Sequence, residues 1–218
     1  MSTARQLAEL HWNETPLYIS EEERYGTYPW LYRAGEFNEH KGHQVLEIGC
    51  GTGCDLLQFA KHGAIATGID VTDRHLELAR RRVGDLAKVV KADARELPFL
   101  DESFDYVYSH GVIHHSDEPH LIAREILRVL RREGRFNIHV YAKWSYNHFR
   151  GLQKLGRDWS RHVENSTMPV YIDLYTGRKL RQLFPGIRLT IRKYEFSHWQ
   201  PLGRWVGWFL VAIGSRVA

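Results

Sequence analysis

The chain has 218 residues, of which 43% are hydrophobic and 26% are charged, and its formal net charge is +4. These values are typical of one globular domain with a sizeable core, so we expect a single domain over residues 1–218. No stretch is long and apolar enough to span a bilayer, and residues 1–10 lack the apolar run of a signal peptide. A cytoplasmic protein without a membrane span is therefore expected.

Residues 1–41 are predicted to form an extension ahead of the first strand. Residues 4–12 favour a short helix, and an acidic run follows at residues 21–23. Behind that run lies an aromatic cluster made of Tyr25, Tyr28, Trp30 and Tyr32. Such rings bury large apolar areas, either by covering an edge of the sheet or by closing a ligand site.

The segment at residues 45–53, VLEIGCGTG, predicts an apolar strand that runs directly into a glycine-rich loop. Glycines at every second position allow a tight turn and let the backbone approach a ligand where any Cβ would collide. Residues 55–62 then predict a helix with one apolar face, which Gly63 can end. Strand, glycine loop and helix together predict a nucleotide site.

Charge indicates which kind of nucleotide this loop holds. A dinucleotide loop has its third glycine one position later, where this chain has Cys54, and it binds a pyrophosphate. The Glu47 carboxylate would repel a pyrophosphate but attract a ligand that carries ammonium and sulfonium groups. Unit charges about 4 Å apart interact by roughly 4 kcal/mol near a protein surface. S-adenosylmethionine carries both of these cations.

Residues 45–53 resemble the first motif of class I S-adenosylmethionine-dependent methyltransferases, and the resemblance extends from about Tyr25 to Gly214. It implies an α/β, Rossmann-like fold with a seven-stranded sheet of order 3-2-1-4-5-7-6, the last strand antiparallel, flanked by helices. It also implies that residues 1–41 fold over the cofactor, S-adenosyl-L-methionine, as a lid, and that S-adenosyl-L-homocysteine is the product. The cofactor contacts that the resemblance implies in this segment are Glu47, Gly49, Cys50, Gly51 and Gly53.

Acidic residues end the next two predicted strands. Residues 64–69 lead to Asp70, and residues 88–92 lead to Asp93. Ligands of open parallel sheets bind at the carboxyl ends of the strands, where all these acids fall. One carboxylate can accept from both ribose hydroxyls, so Asp70 is predicted to anchor the ribose. Its alternative role is to cap the next helix. Val71, which follows Asp70, should pack against the adenine. The resemblance assigns Asp93 and Ala94 to recognition of the adenine.

The fourth predicted strand, residues 106–108, leads into residues 109–115, SHGVIHH, which should face the transferred methyl group. This segment resembles the small-molecule branch that includes quinone-ring methyltransferases, and Ser109 joins the expected cofactor contacts. We predict His114, ahead of His110 and His115, as the proton acceptor. The alternative for each histidine is loop packing or helix capping. Adjacent histidines cannot readily chelate one zinc ion, so no metal site is expected.

The remaining chain predicts a helix from 116 or 117 to 130, a strand at 135–141, a helix at 176–184, and strands at 187–194 and 205–213. Between them, residues 142–175 are predicted to cap the acceptor pocket and to determine acceptor specificity. Their many aromatic and histidine side chains suit a partly apolar pocket. The same composition would also suit a helical cap with a core of its own.

The predicted function is methyl transfer from S-adenosylmethionine to an oxygen, nitrogen or carbon atom of a small molecule. Two alternatives stay open. An RNA methyltransferase is favoured if the basic clusters at residues 80–82, 131–132 and 178–181 align on the rim of the site, and a non-catalytic cofactor-binding regulator is favoured if aromatic rings fill the acceptor space. Helix dipoles explain the first two clusters, so nucleic acid is not the expected partner. The thiols of Cys50 and Cys54 are expected to be reduced and non-catalytic.

Overall fold

A computed structural model of the protein describes residues 4–16, 18–155, 171–195 and 204–216. Within this part of the chain the sheet has seven strands in the order β3-β2-β1-β4-β5-β7-β6. The strands are β1 Gln44–Ile48, β2 Ile65–Asp70, β3 Lys88–Lys91, β4 Phe104–His110, β5 Leu130–Tyr141, β6 Leu189–Tyr194 and β7 Phe209–Ser215. β7 runs antiparallel to both β5 and β6, whereas β1 to β5 pair in parallel. The predicted fold class and strand order are confirmed.

Helices cover both faces of this sheet. The helices are α1 Ala4–Glu14, α2 Glu21–Thr27, α3 Leu31–Ala34, α4 Cys54–Lys61, α5 Asp73–Val83, α6 Pro119–Val129, α7 Tyr146–Leu155 and α8 Gly177–Leu183. α2 begins with a capping box, in which the Ser20 hydroxyl accepts from Glu23 N and the Glu23 carboxylate accepts from Ser20 N. None of the helices described is long and apolar enough to cross a membrane.

β4 and β5 are longer than predicted. β4 continues to His110 because β5 offers partners for two further residues, Ser109 beside Ile138 and His110 beside His139. β5 begins at Leu130, so residues 131–134, which the sequence placed between a helix and this strand, belong to the strand. The start of the segment after β4 is thereby fixed to the sheet.

The core lies on both faces of the sheet and follows the two-residue alternation of its strands. Leu46 and Val107 face one cluster, which is covered by α6 and α8. Tyr106 and Tyr108 face the other, which is covered by α3, α4 and α5. Side chains at 106, 108 and 110 of β4 therefore share the α4 face of the sheet, and this face leads to the site.

Candidate active site

A cavity of about 660 Å³ opens at the edge where β1, β2 and β4 end. Its volume is within the range of small-molecule and cofactor sites. The glycine loop, the strand-end acids and the segment after β4 all contribute to its wall. The predicted site residues that line it are Glu47, Gly49, Cys50, Gly51, Asp70, Val71, Asp93, Ala94, His110 and His115. One cavity thus joins most residues that the sequence singles out.

Two predicted cofactor contacts do not line this cavity. Gly53 has a φ of +80° at the start of α4, and a Cβ there would lie 3.2 Å from Ala79 of α5. Its role in the structure is close helix packing. Ser109 is buried, and its hydroxyl donates to the Ile48 carbonyl oxygen at 3.2 Å. That bond ties the ends of β4 and β1 together, so the side chain is directed to backbone.

His114, the preferred candidate for the proton acceptor, is also outside the cavity wall. Its side chain is fully buried and lies on the ring of Tyr141, with centroids 3.8 Å apart. Neither ring nitrogen has a hydrogen-bond partner, and burial holds the pKa of His114 well below its ordinary value. The geometry therefore does not support His114 ahead of the other histidines. His110 and His115 reach the cavity instead.

The glycine loop leaves room along one wall of the cavity. Gly49 has a φ of +68°, and a Cβ there would lie 2.3 Å from Val112 Cγ2. Gly51 has a φ of +51°, and a Cβ there would meet nothing within 4 Å. Both backbone conformations favour glycine, and the space beside Gly51 is open to a ligand.

Glu47 presents an unpaired carboxyl oxygen to the cavity. The residue is 3% exposed, and Oε2 has no hydrogen-bond partner, although the carboxyl group accepts from the Leu56 backbone. Burial raises the pKa of Glu47 well above its usual range, and the nearby Asp55 carboxylate raises it further. A buried carboxyl oxygen without a partner is costly, and a cationic ligand would relieve that cost.

Asp70 holds the loop as well as lining the cavity. Oδ2 accepts from Gly51 N at 3.0 Å, and Oδ1 accepts from the backbone N–H and the hydroxyl of Thr72, both at 2.9 Å. His75 Nδ1 lies 3.5 Å from Oδ2. Burial raises the pKa of Asp70, but His75 and these hydrogen bonds outweigh it, so the pKa falls below its usual value. The carboxylate is therefore charged at neutral pH.

A buried ionic network that sequence reasoning missed lies beside Glu47. Arg24 Nε donates to Asp55 Oδ1 at 2.6 Å, and the side chains are only 17% and 1% exposed. Tyr25 and Tyr108 donate their hydroxyls to the same carboxylate at 2.9 and 3.0 Å. Burial opposes ionisation of Asp55, yet Arg24 and the hydroxyls lower its pKa. This network joins α2 to α4 at the cavity wall.

Residues 46–138 match the family model described as "Methyltransferase domain". Methyltransferase GfsG of Streptomyces halstedii is 39% identical over 103 residues, which cover 44% of this chain and 37% of that protein. The matched segment of the chain is therefore similar to methyltransferase domains. The cofactor that this similarity implies is S-adenosyl-L-methionine.

Two further proteins extend the comparison. The 27-O-demethylrifamycin SV methyltransferase of Amycolatopsis mediterranei is 35% identical over 108 residues, covering 47% of this chain and 40% of that protein. The S-adenosylmethionine-dependent methyltransferase of Mesorhizobium loti shares the fold, with a TM-score of 0.69 at 18% identity over 90% of this chain and 98% of that one. The matched segment spans about two fifths of the length of the two curated relatives.

The residues of this methyltransferase domain fit the cofactor. The unpartnered Glu47 oxygen suits its ammonium and sulfonium groups, and the open space at Gly51 lets a ligand approach the loop backbone. A carboxylate oxygen has about two acceptor positions, so Asp70 Oδ2 keeps capacity for a ribose hydroxyl beside its bond to Gly51. These three positions would hold the methionine end and the ribose.

At the position predicted for adenine, Asp93 is already paired. Arg95 donates to the Asp93 carboxylate, with Nη2 3.0 Å from Oδ2, and Arg95 Nη1 also lies 2.6 Å from Glu118. Asp93, Ala94 and Arg95 all line the cavity. Adenine recognition by Asp93 stays a prediction, and Arg95 is a cavity residue that the sequence pattern did not indicate.

Part of the predicted lid borders the site. The Trp12 ring of α1 lies near His75 and His115, with centroid distances of 6.2 and 5.7 Å. Trp12 and Tyr28 both line the cavity. α1 therefore reaches from the Asp70 side of the cavity to the segment after β4, as a lid would.

The predicted cap at residues 142–175 adds no described residue to the cavity wall. α7, which begins this segment, leaves Tyr146 and Phe149 about half exposed. Residues 156–170 lie outside the part of the chain that the structure describes. The role of this segment in acceptor specificity stays a prediction.

Two of the three basic clusters have protein partners that account for them without a polyanion. Arg81 pairs with Glu77 at 2.5 Å, and Arg82 donates to a backbone carbonyl oxygen at 2.7 Å. Arg131 pairs with Asp105 near the start of β4, at the opposite edge of the sheet from the cavity. Among the described residues, no group of three His, Cys, Asp or Glu side chains could hold a metal ion.

Loss of the Asp70 carboxylate is expected to weaken binding of S-adenosylhomocysteine about 10²-fold or more, and more than loss of any single histidine. A hydrogen bond from a ribose hydroxyl to this charged acceptor is worth roughly 1.5–3 kcal/mol, and the substitution also removes the bonds that hold Gly51 and Thr72. Calorimetric titration of Asp70→Ala tests this, with Asp73→Ala, an exposed acid paired with Lys91, as the control. Parent-like affinity in Asp70→Ala would contradict the ribose assignment.

Proposed function

We propose that the protein transfers the methyl group of S-adenosylmethionine to a small-molecule acceptor. The observation that carries the proposal is the buried Glu47 side chain, whose Oε2 has no partner, in a cavity that Gly51, Asp70 and His110 also line. An acid at that position favours a cationic cofactor. His110, the last residue of β4, provides a polar group for the acceptor.

A partly apolar acceptor with a ring system is the substrate class that the wall favours. Tyr28, Tyr141 and Phe209 line the cavity, and the Phe209 ring stacks on His110 with centroids 4.8 Å apart. The names of curated relatives give their acceptors as 27-O-demethylrifamycin SV, a sterol and demethylmenaquinone. Aromatic walls with one polar group would orient such a molecule.

The cofactor supplies a methyl group that is already activated for displacement. The chain contributes alignment, since positioning alone can provide roughly 7–11 kcal/mol of the barrier. Trp12 and Tyr28 form part of the cavity wall. For an acceptor that must lose a proton, His110 takes it, which adds about 10²–10⁴-fold. Because burial and the Arg24 charge hold the pKa of His110 well below its ordinary value, the ring is neutral at pH 7.

The test is methyl transfer from labelled S-adenosylmethionine into metabolite extracts, with the labelled product identified by mass. We expect label in a small molecule. Label in a parallel RNA fraction would favour the RNA methyltransferase, and cofactor binding without any labelled product would favour the regulator. Either result would overturn the proposal.

Glu47→Gln is expected to weaken cofactor binding by about 10-fold or more, because a charged hydrogen bond is worth roughly 1.5–3 kcal/mol. Burial raises the pKa of Glu47, so a cationic ligand that favours the carboxylate should release a proton on binding. Calorimetry in two buffers of different ionisation enthalpy measures that release in the parent and in Glu47→Gln. Equal proton release by the two proteins would show that Glu47 does not interact with the cationic groups of the cofactor.

A further inference from the structure

Four groups form a buried hydrogen-bonded chain behind the cavity. Asn137 Nδ2 donates to the Ala34 carbonyl oxygen at 2.7 Å, and Asn137 Oδ1 lies 3.0 Å from His139 Nε2. His139 Nδ1 lies 2.8 Å from His110 Nδ1. Asn137 and His139 are at most 1% exposed, so water does not compete for these bonds. The chain ends at His110, which lines the cavity.

The direction of every bond in this chain follows from its first member. The Ala34 carbonyl can only accept, so the amide group of Asn137 that faces it is the NH₂ and the group that faces His139 is the oxygen. His139 Nε2 must then carry the proton, which leaves Nδ1 of the neutral ring as an acceptor. His110 Nδ1 donates to it. Nε2 of a neutral His110 is therefore unprotonated and is the nitrogen left for a ligand.

We infer that His139 and Asn137 are positioning residues that hold His110 in the Nδ1–H tautomer, with the Nε2 lone pair offered to the acceptor. The inference rests on the proposed methyl transfer with His110 as the proton acceptor. As the acceptor's lone pair forms the bond to the methyl carbon, the bond from that carbon to the sulfonium sulfur would break and leave its electron pair on sulfur, giving S-adenosylhomocysteine, while the acceptor's proton would move to His110 Nε2. The resulting imidazolium keeps its Nδ1–H bond to His139 and later returns the Nε2 proton to solvent.

Sheet geometry accounts for this arrangement. His110 of β4 and His139 of β5 are register partners, and Asn137 lies two residues earlier on the same face of β5. Side chains two residues apart share a face, so the three polar groups follow one another across neighbouring strands. The ring of His110 is further fixed by Tyr28 and Phe209, with centroid distances of 6.0 and 4.8 Å.

The charges around the pair keep both rings neutral. Burial is the main cause that lowers the pKa of His110. Three charged or titratable groups that face it lower this pKa further: Arg24 of α2, His139 of β5 and His114 of the segment after β4. Burial lowers the pKa of His139 to about 3, where Asp55 opposes and Arg24 adds to the shift. A second proton on this pair is therefore disfavoured near neutral pH, and the bond directions above apply.

The first test is ¹⁵N–¹H correlation spectroscopy of histidine rings, which distinguishes the tautomers without any acceptor or turnover. The parent is expected to show His110 protonated at Nδ1 and His139 at Nε2, with His110→Asn used to assign the signals. In His139→Leu, His110 is expected to change to the Nε2–H form, the ordinary preference in water. A parent spectrum with His110 protonated at Nε2 would overturn the inference, whether or not the variant folds.

The second test is the rate of methyl transfer, which separates positioning from packing. His139→Leu is expected to lower kcat about 10–10²-fold with little change in cofactor affinity, because the wrong tautomer cannot accept the proton. His139→Asn, whose amide oxygen can occupy the place of Nδ1, is expected to recover most of that loss. Equal loss in both variants would assign His139 to packing. His120→Leu, on the exposed face of α6, is the control. An inactive parent with the expected tautomer would reject the proposed function alone.

Discussion

Replacing Arg24 by alanine is expected to lower the free energy of unfolding by about 3 kcal/mol at pH 7. The substitution leaves the Asp55 carboxylate charged, 1% exposed and without its cation. Breaking a buried ion pair by removing one partner typically costs about 3–5 kcal/mol, and the 17% exposure of Arg24 places it at the lower end.

The pH dependence of this loss identifies its cause. In the parent, the pKa of Asp55 lies below its ordinary value, so the pair stabilises the fold above that ordinary pKa and the contribution fades as pH falls. In Arg24→Ala, burial without the cation raises the pKa of Asp55, so the deficit relative to the parent shrinks at acidic pH. Urea unfolding followed by tryptophan fluorescence at several pH values measures both effects.

Arg81→Ala is the matched control, because it removes an arginine from an exposed pair with Glu77 on α5. Exposed pairs of this kind contribute little, so its effect should be a small fraction of that of Arg24→Ala. Equal losses in the two variants, or a deficit in Arg24→Ala that does not change with pH, would show that the Arg24–Asp55 pair is not structurally important.

Much of the fold was predictable because local patterns carry it. Gly49 and Gly51 predict backbone turns, and both residues have a positive φ in the structure. Asp70 is the last residue of β2, as the sequence indicates. These signals are contiguous in sequence, so periodicity and strand ends suffice to detect them. The strand order was implied by the resemblance to a known family. The glycine loop after the first strand indicated a different feature, the edge of the sheet at which ligands bind.

The parts that could not be predicted depend on contacts between distant residues. Arg24 and Asp55 are 31 positions apart, and no spacing rule joins them. The pairing of His110 with His139 needs the register of β4 and β5, and β4 continues two residues beyond its predicted end to reach that pairing.

The structure separates the histidines for a local reason. Residues Ile113–His115 form a 3₁₀ turn, in which successive side chains diverge by about 120°. His114 and His115 therefore point to different surroundings, one to the core against Tyr141 and one toward the cavity. A loop without regular structure, as the sequence suggested, gives no means to tell them apart.

The assignment of His110 as the proton acceptor leads to the largest kinetic effect expected for a single substitution. His110→Asn keeps a donor near the position of Nδ1, so its bond to His139 can persist, but it removes the Nε2 lone pair that faces the acceptor. General base catalysis contributes about 10²–10⁴-fold, and we expect kcat to fall by that factor. The affinity for the cofactor should change little, because the substitution leaves Glu47 and Asp70, the predicted cofactor contacts, unchanged.

The pH profile distinguishes a base from a group that only packs. His110 accepts a proton when it is neutral, so the rate of the parent should rise with pH through the pKa of His110. Burial first, and then Arg24, hold that pKa well below its ordinary value, so the rise should be complete below about pH 6.5. His110→Asn should lose this rise. If it instead transfers methyl groups to the identified acceptor at the parent rate, the domain accelerates transfer by alignment alone, and the acceptor reacts without losing its proton to the protein.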